Sequence, residues 1–139
     1  MEKNTIDVAW NGKMSFKTSL NGHEIILDAE SNVGGEDKGP RPKPLMLVSL
    51  GGCTGMDVIS ILEKMRVKVE DFHVRVEGKL TDEYPKYYHK IHTIYEFKGK
   101  DLPLDKLKKA VKLSEERYCG VSAVYKHGAE LTSEIKLIK

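Results

Sequence analysis

The sequence predicts an α+β chain with a mainly antiparallel sheet and a central buried helix, in the order β-β-β-α-β-β-α-β. Three observations carry this. The first thirty residues hold three short alternating apolar runs, parted by Asn11-Gly12 and Asn21-Gly22. One strongly apolar stretch, from Pro44 to about Arg66, changes to helical character. Beyond it, two adjacent alternating runs precede an amphipathic helix and a last alternating run, unlike the strand–helix–strand repeat of a parallel sheet.

Ile6, Val8 and Trp10 alternate, as do Met14, Phe16 and Thr18, then Ile25 and Leu27. Asn-Gly accepts the positive φ angles of tight hairpin turns, so these runs form a meander. Residues 31–43 have no periodicity, contain three glycines and two prolines, and read as a mobile loop. Pro44 suits the first turn of a helix, where its missing N–H has no intrahelical partner. Leu45, Met46, Leu47, Val48 and Leu50 are apolar on every side, which predicts burial all round. The half from Val58 to Leu62 is more amphipathic. Gly51 and Gly52 each cost about 1 kcal/mol in a helix interior relative to Ala. Together they imply a backbone or ligand passing close beside Cys53.

Phe72, Val74, Val76 and Leu80 alternate with His73, Arg75, Glu77 and Lys79, a strand with one wet face. A second strand runs from about Lys86 to Lys98. Asp101-Leu102-Pro103 opens a helix with Leu104, Leu107 and Val111 on one face, ended by Gly120. Leu131, Ser133, Ile135 and Leu137 alternate in the last strand.

At 139 residues this is one domain, 1–139, long enough to bury a core. Charged residues at 32% and hydrophobic ones at 40% exclude a disordered chain. The net charge of +2, with Lys and Glu interspersed, leaves no basic footprint, so nucleic acid is not an expected partner. By eye no apolar run reaches the roughly 20 residues of a membrane span, and Met1-Glu2-Lys3-Asn4-Thr5 is not a signal-peptide core. The expectation is no membrane association and a cytoplasmic location, where paired cysteines are more often reduced, buried or catalytic than structural disulfides.

The two cysteines are the candidate chemistry. Cys53 sits in the apolar helix, in Leu50-Gly51-Gly52-Cys53-Thr54-Gly55; Cys119 sits in Tyr118-Cys119-Gly120-Val121-Ser122. Their separation excludes the C-x-x-C spacing of zinc knuckles and thioredoxin-like motifs. Two thiols brought together only by the fold suggest a nucleophile and a resolving partner.

Pro44 to Cys53, ending in Gly-Gly-Cys, and Cys119-Gly120-Val121-Ser122, similar to a Cys-Pro-Val-Ser motif, together resemble the OsmC/Ohr family of osmotically inducible and organic-hydroperoxide-resistance proteins. The likeness spans nearly the whole chain and is nearest the branch with a Gly-Gly-Cys core. It implies an intertwined homodimer and a cofactor-free thiol peroxidase acting on organic hydroperoxides. Cys53 would be the peroxidatic thiolate and Cys119 its disulfide partner, with an external dithiol as reductant. Peroxidatic members activate the thiolate with an arginine oriented by a glutamate. Here Lys43 stands at the glutamate position and Lys13 follows Gly12 where Gly-Arg is expected. Arg41, Arg117 and Lys13 are the remaining candidate activators, lysine being the poorer because it lacks the planar fork.

Blander readings accompany these. Either cysteine alone is an ordinary small apolar residue. Asp57, one turn after Cys53, is either a site carboxylate or, as favoured here, a solvated helix residue; Glu115-Glu116 reads as surface charge, with a glutamate there able to hold an arginine, and the tyrosines Tyr84, Tyr87, Tyr88 and Tyr95 read as sheet packing or dimer contact. The histidines have no matching ligand cluster, so no metal site is predicted. Gly52-Cys53-Thr54-Gly55 matches the G-x-x-G of RNA-binding KH domains but lies inside an apolar helix and lacks their basic residue. The functional alternative to a peroxidase is a stress-related binding protein that keeps the fold and an apolar pocket.

Overall fold

A computed structural model describes all 139 residues, which divide into two compact units, Met1–Met46 and Leu47–Lys139. The N-terminal unit is the expected meander. Strands β1 (Ala9–Trp10), β2 (Phe16–Leu20) and β3 (His23–Leu27) pair antiparallel in chain order. Asn21 and Gly22 form the two-residue turn between β2 and β3, at φ +53° and +82°, as the hairpin requires. The first turn is wider: Asn11 N–H donates to Ser15 O at 2.8 Å, and Gly12 and Lys13 both have positive φ. β1 is accordingly shorter than the Ile6–Trp10 alternation suggested.

The loop expected at 31–43 is tied down. It contains a 3-10 turn, Ser31–Val33, and wraps the buried Asp28 carboxylate, which accepts backbone N–H groups from Ala29 (2.7 Å), Glu36 (3.2 Å) and Lys38 (3.1 Å). Above all the Lys38 amide, with help from the other two, holds the Asp28 carboxyl below its usual range against the opposing effect of burial.

In the C-terminal unit, β4 (Asp71–Leu80), β5 (Tyr88–Lys98) and β6 (Glu130–Ile138) form a second sheet with β5 in the middle. β4 and β5 are antiparallel, but β5 and β6 run parallel, a pairing the alternation pattern does not reveal. Parallel neighbours need a long crossover. It is supplied by α2 (Leu104–Leu113), a π-helical turn (Ser114–Tyr118) and a short helix α3 (Gly120–Tyr125). Gly120 therefore opens a helix where the sequence suggested one had ended, adding an element to the predicted order.

Helix α1 (Leu45–Lys64) differs most from expectation. One stripe, Leu50, Thr54, Val58 and Leu62, is buried, each residue four after the last. Val48 is 65% and Met56 77% exposed, so the helix is not enclosed all round in the single chain. Contrary to the reading by eye, α1 is long and apolar enough by composition to cross a membrane. In this chain its buried stripe packs within the C-terminal unit: Val58 and Leu62 join Tyr95, Phe97, Leu107 and Ala110 in one core cluster. The glycines in α1 divide in role. A Cβ on Gly51 would stand 3.2 Å from the Val76 side chain and one on Gly55 3.5 Å from Val74, so these two let β4 come close, whereas Gly52 faces open space.

Candidate active site

Cys53 projects from α1 beside the buried stripe and is half-buried, while Cys119 is 3% exposed at the residue preceding α3. The π-helical turn sets the second position. Cys119 N–H reaches back to Ser114 O at 2.7 Å, a wider turn than an α-helix makes, and such turns recur at functional sites. The two sulfurs and a carboxylate oxygen of Asp57 all lie within 4.8 Å of one another. Both thiols are free. Leu50, Tyr88 and Ile91 pack with Cys119, and Leu47, Val76, Val121 and Tyr125 complete an apolar surround.

Backbone amides are the positive poles here. Ser122 N–H donates to Cys119 Sγ at 3.3 Å, and the Val121 backbone favours the ionised Cys53. Burial nonetheless pushes the Cys53 thiol up, reinforced by the neighbouring Cys119 and Asp57 side chains. The candidate activators have contacts of their own. Arg41 pairs with Asp37 at 2.6 Å, Gly39 O at 2.9 Å and Glu30 at 3.9 Å, all within the N-terminal unit. Lys13 lies 3.7 Å from Glu36 in that same unit, and Arg117 lies over the Tyr118 ring at 5.7 Å.

Of the polar residues behind the thiols, the sequence pointed to Asp57 and Glu115 as possible site carboxylates but not to Thr54 or Ser114. Asp57, taken as a solvated helix residue, lies one turn after Cys53 and accepts a hydrogen bond from Ser114 Oγ at 2.9 Å. Ser114 Oγ also meets Thr54 Oγ1 at 2.8 Å, and Thr54 Oγ1 meets the Tyr95 hydroxyl at 2.9 Å. Tyr95 donates to Glu115 Oε2 at 2.9 Å, and Ser133 Oγ to Glu115 Oε1 at 3.1 Å, so Glu115 is not simply surface charge. Thr54 and Ser114 are fully buried and Tyr95 nearly so. Burial, then the Glu115 carboxylate, push the Tyr95 phenol up, which keeps it a neutral donor. A helical i, i+4 relation between Cys53 and Asp57 was the available signal. Nothing local pointed to Thr54, Tyr95 or Ser114.

Cys53, Asp57 and Cys119 are also three potential donors within 4.8 Å of one another, a cluster without histidine that the sequence did not predict. His92, by contrast, belongs to a surface contact with Thr132 and Glu134, both at 2.7 Å.

Known proteins share this arrangement of elements. YhfA of Escherichia coli K12 is 32% identical over 132 residues, covering 94% of this chain and 96% of its own. A crystal structure of a hypothetical protein from Aquifex aeolicus VF5 is 35% identical, with a TM-score of 0.84 over 100% of both chains. The organic hydroperoxide resistance protein OhrB of Bacillus subtilis, 18% identical, has the same fold at a TM-score of 0.63, over 96% of this chain and 98% of its own. The family described as OsmC-like protein matches residues 35–134, and with the YhfA similarity this shows that the chain belongs to the OsmC-like family.

Proposed function

We propose that this protein is a cysteine-dependent thiol peroxidase that reduces organic hydroperoxides to alcohols. The observation that carries this reading is the approach of two cysteine sulfurs, remote in sequence, to within 4.8 Å. The Cys53 thiolate attacks the distal peroxide oxygen; the O–O bond breaks, the alkoxide takes a proton and leaves as an alcohol, and Cys53 becomes a sulfenic acid. The Cys119 thiol then displaces water to form the Cys53–Cys119 disulfide. An external dithiol returns both to thiols, and no cofactor takes part. The names of structural relatives such as OhrB fit this chemistry.

The finer family expectations belong to the same proposal: the Gly-Gly-Cys branch, a single OsmC-like domain, an intertwined homodimer and a cytoplasmic location. The family match runs across the junction between the two compact units, which supports one domain. The exposed Val48 and Met56 of α1, and Trp10 and Phe16 of the meander, offer apolar surface of the kind a second copy would cover. Arg41, Arg117 and Lys13 remain the candidate thiolate activators.

Mass spectrometry after stoichiometric cumene hydroperoxide tests the chemistry. A Cys53–Cys119 link is expected in the native chain. Cys53→Ser should abolish consumption, and Cys119→Ser should stop after one turnover with a dimedone-trappable sulfenic acid. Full turnover by Cys53→Ser ends the proposal. A second reading, a stress-related binding protein without efficient turnover, is favoured by the raised Cys53 thiol. A measured Cys53 pKa well below the free-thiol value of about 8.5 would exclude that reading.

A further inference from the structure

The sulfurs of Cys53 and Cys119 and a carboxylate oxygen of Asp57 converge from two segments of the chain, all within 4.8 Å of one another. Cys53 and Asp57 stand one turn apart on α1, which puts both side chains on one face of the helix. Cys119 joins them from the residue before α3. Ser114 orients two of these three groups at once. Its hydroxyl donates to Asp57 Oδ2 at 2.9 Å, and its carbonyl accepts the Cys119 N–H at 2.7 Å. Ser114 is itself fully buried and its hydroxyl meets Thr54 Oγ1 at 2.8 Å, so the orienting residue is held in turn. Hydrogen bonds of this kind, one step out from the donors, fix ligands in place for a metal ion. We propose that Cys53, Cys119 and Asp57 form a binding site for a divalent, thiolate-preferring metal ion of the zinc type, with a fourth position left for water or a small external ligand.

The donor set selects the ion. Calcium and magnesium take oxygen ligands, which two sulfurs cannot supply. Copper(I) prefers soft donors, whereas a carboxylate oxygen is hard. Zinc accepts sulfur and oxygen together, and three protein ligands with one open position is a pattern it adopts. With Zn–S about 2.3 Å and Zn–O about 2.1 Å, the edges of the tetrahedron are about 3.5–3.8 Å, so the donors close by roughly 1 Å at most. Cys53 is half-buried and gives the ion a way in, while Leu50, Tyr88, Ile91 and Val121 enclose the Cys119 side against competing water. Binding breaks two S–H bonds, releases both protons to solvent and leaves both electron pairs on sulfur for the metal. All three donors are then anionic, and the divalent charge offsets their mutual repulsion. A Cys53–Cys119 disulfide would use the same sulfurs, so the ion and the disulfide exclude one another. The site belongs to the reduced chain and does not depend on peroxide chemistry.

The test is zinc and cobalt(II) binding to the reduced, chelator-stripped full chain, without oxygen or peroxide. One zinc per chain should survive exchange into metal-free buffer, read by elemental mass spectrometry. X-ray absorption at the zinc edge should show two sulfur and two lighter scatterers. Cobalt(II) should give thiolate charge-transfer absorption and the intense visible bands of a tetrahedral site. In competition with a chromophoric chelator, Cys53→Ser, Cys119→Ser and Asp57→Asn should each lower zinc affinity about tenfold or more, with the circular dichroism of the folded chain retained. Ser114→Ala should weaken zinc about tenfold yet leave the cobalt spectrum unchanged, which separates orientation from ligation. Zinc that exchanges off, an adventitious ion only, overturns the site. So does a four-sulfur shell, which marks an ion shared between two chains, and so does native affinity in Asp57→Asn, which marks capture by the dithiol alone. Zinc binding by a chain that consumes no cumene hydroperoxide keeps the site and removes the peroxidase; consumption by a chain that holds no zinc does the reverse.

Discussion

The two compact units are held together by different forces. Every buried hydrophobic side chain lies in the C-terminal unit, from Leu50 to Cys119. In the N-terminal unit the buried side chains are Ser15 and Asp28, both polar, while Trp10, Met14 and Phe16 are exposed at 70%, 50% and 39%. One unit is organised by an apolar core and the other by turns and a buried carboxylate. The difference teaches that alternation in a sequence reports the faces of a strand, but not what covers them. The meander carries apolar residues that, in the single chain, lack the layer on which such residues normally pack.

The contrast is most sharply tested in the core. Phe97 is fully buried, stacked on Phe72 with ring centroids 4.6 Å apart, and packed with Val58 and Leu107. Phe97→Ala should cost about 3–5 kcal/mol in chemical denaturation, since the cavity adds to the lost transfer energy. A cost below about 1 kcal/mol would mean that this cluster is not what stabilises the unit. Phe16 is as large but is exposed on β2, so Phe16→Ser should change the unfolding of the isolated chain by no more than about 0.5 kcal/mol. If a second copy covers the meander, that same substitution, with Trp10→Ser, should convert dimer to monomer in light scattering. A chain that is monomeric before substitution would remove the dimer from the proposed function.

Much of the fold was legible because its signals are local. The Asn21-Gly22 turn, the Phe72–Leu80 alternation and the Leu104–Leu107–Val111 stripe each depend on residues within a few positions of one another. The parallel pairing of β5 with β6 was not legible, because direction depends on a crossover whose path composition does not encode. The π-helical turn at Ser114–Tyr118 was hidden for a related reason: Cys119 N–H bonding back to Ser114 leaves no sequence period. The thiol pair could be singled out because cysteine is rare here. The hydrogen-bonded hydroxyls behind it could not, because Thr54, Tyr95 and Ser114 come from three elements and each is unremarkable alone. α1 was misread in two respects: Val48 and Met56 are apolar without being buried in the chain by itself, and the helix is long and apolar enough by composition to cross a membrane.

The smallest expected effect concerns the polar side of the comparison. The Asp28 carboxylate gathers the Ala29, Glu36 and Lys38 amides, and its pKa is lowered chiefly by the Lys38 hydrogen bond. The folded unit therefore binds the Asp28 proton more weakly than the unfolded chain, whose value lies near 3.9. The contribution to stability is complete above that value and is lost as pH falls through the lower folded value. Amide chemical shifts of Glu36 and Lys38 should titrate together, with a midpoint below the ordinary aspartate range. Asp28→Asn should erase that titration and make the peptide bond after Lys38 more sensitive to trypsin at neutral pH, with little change to the Phe97 cluster. A midpoint at or above the unfolded value would show that the amides do not favour the ionised carboxylate, and the N-terminal unit would then need a different account of its order.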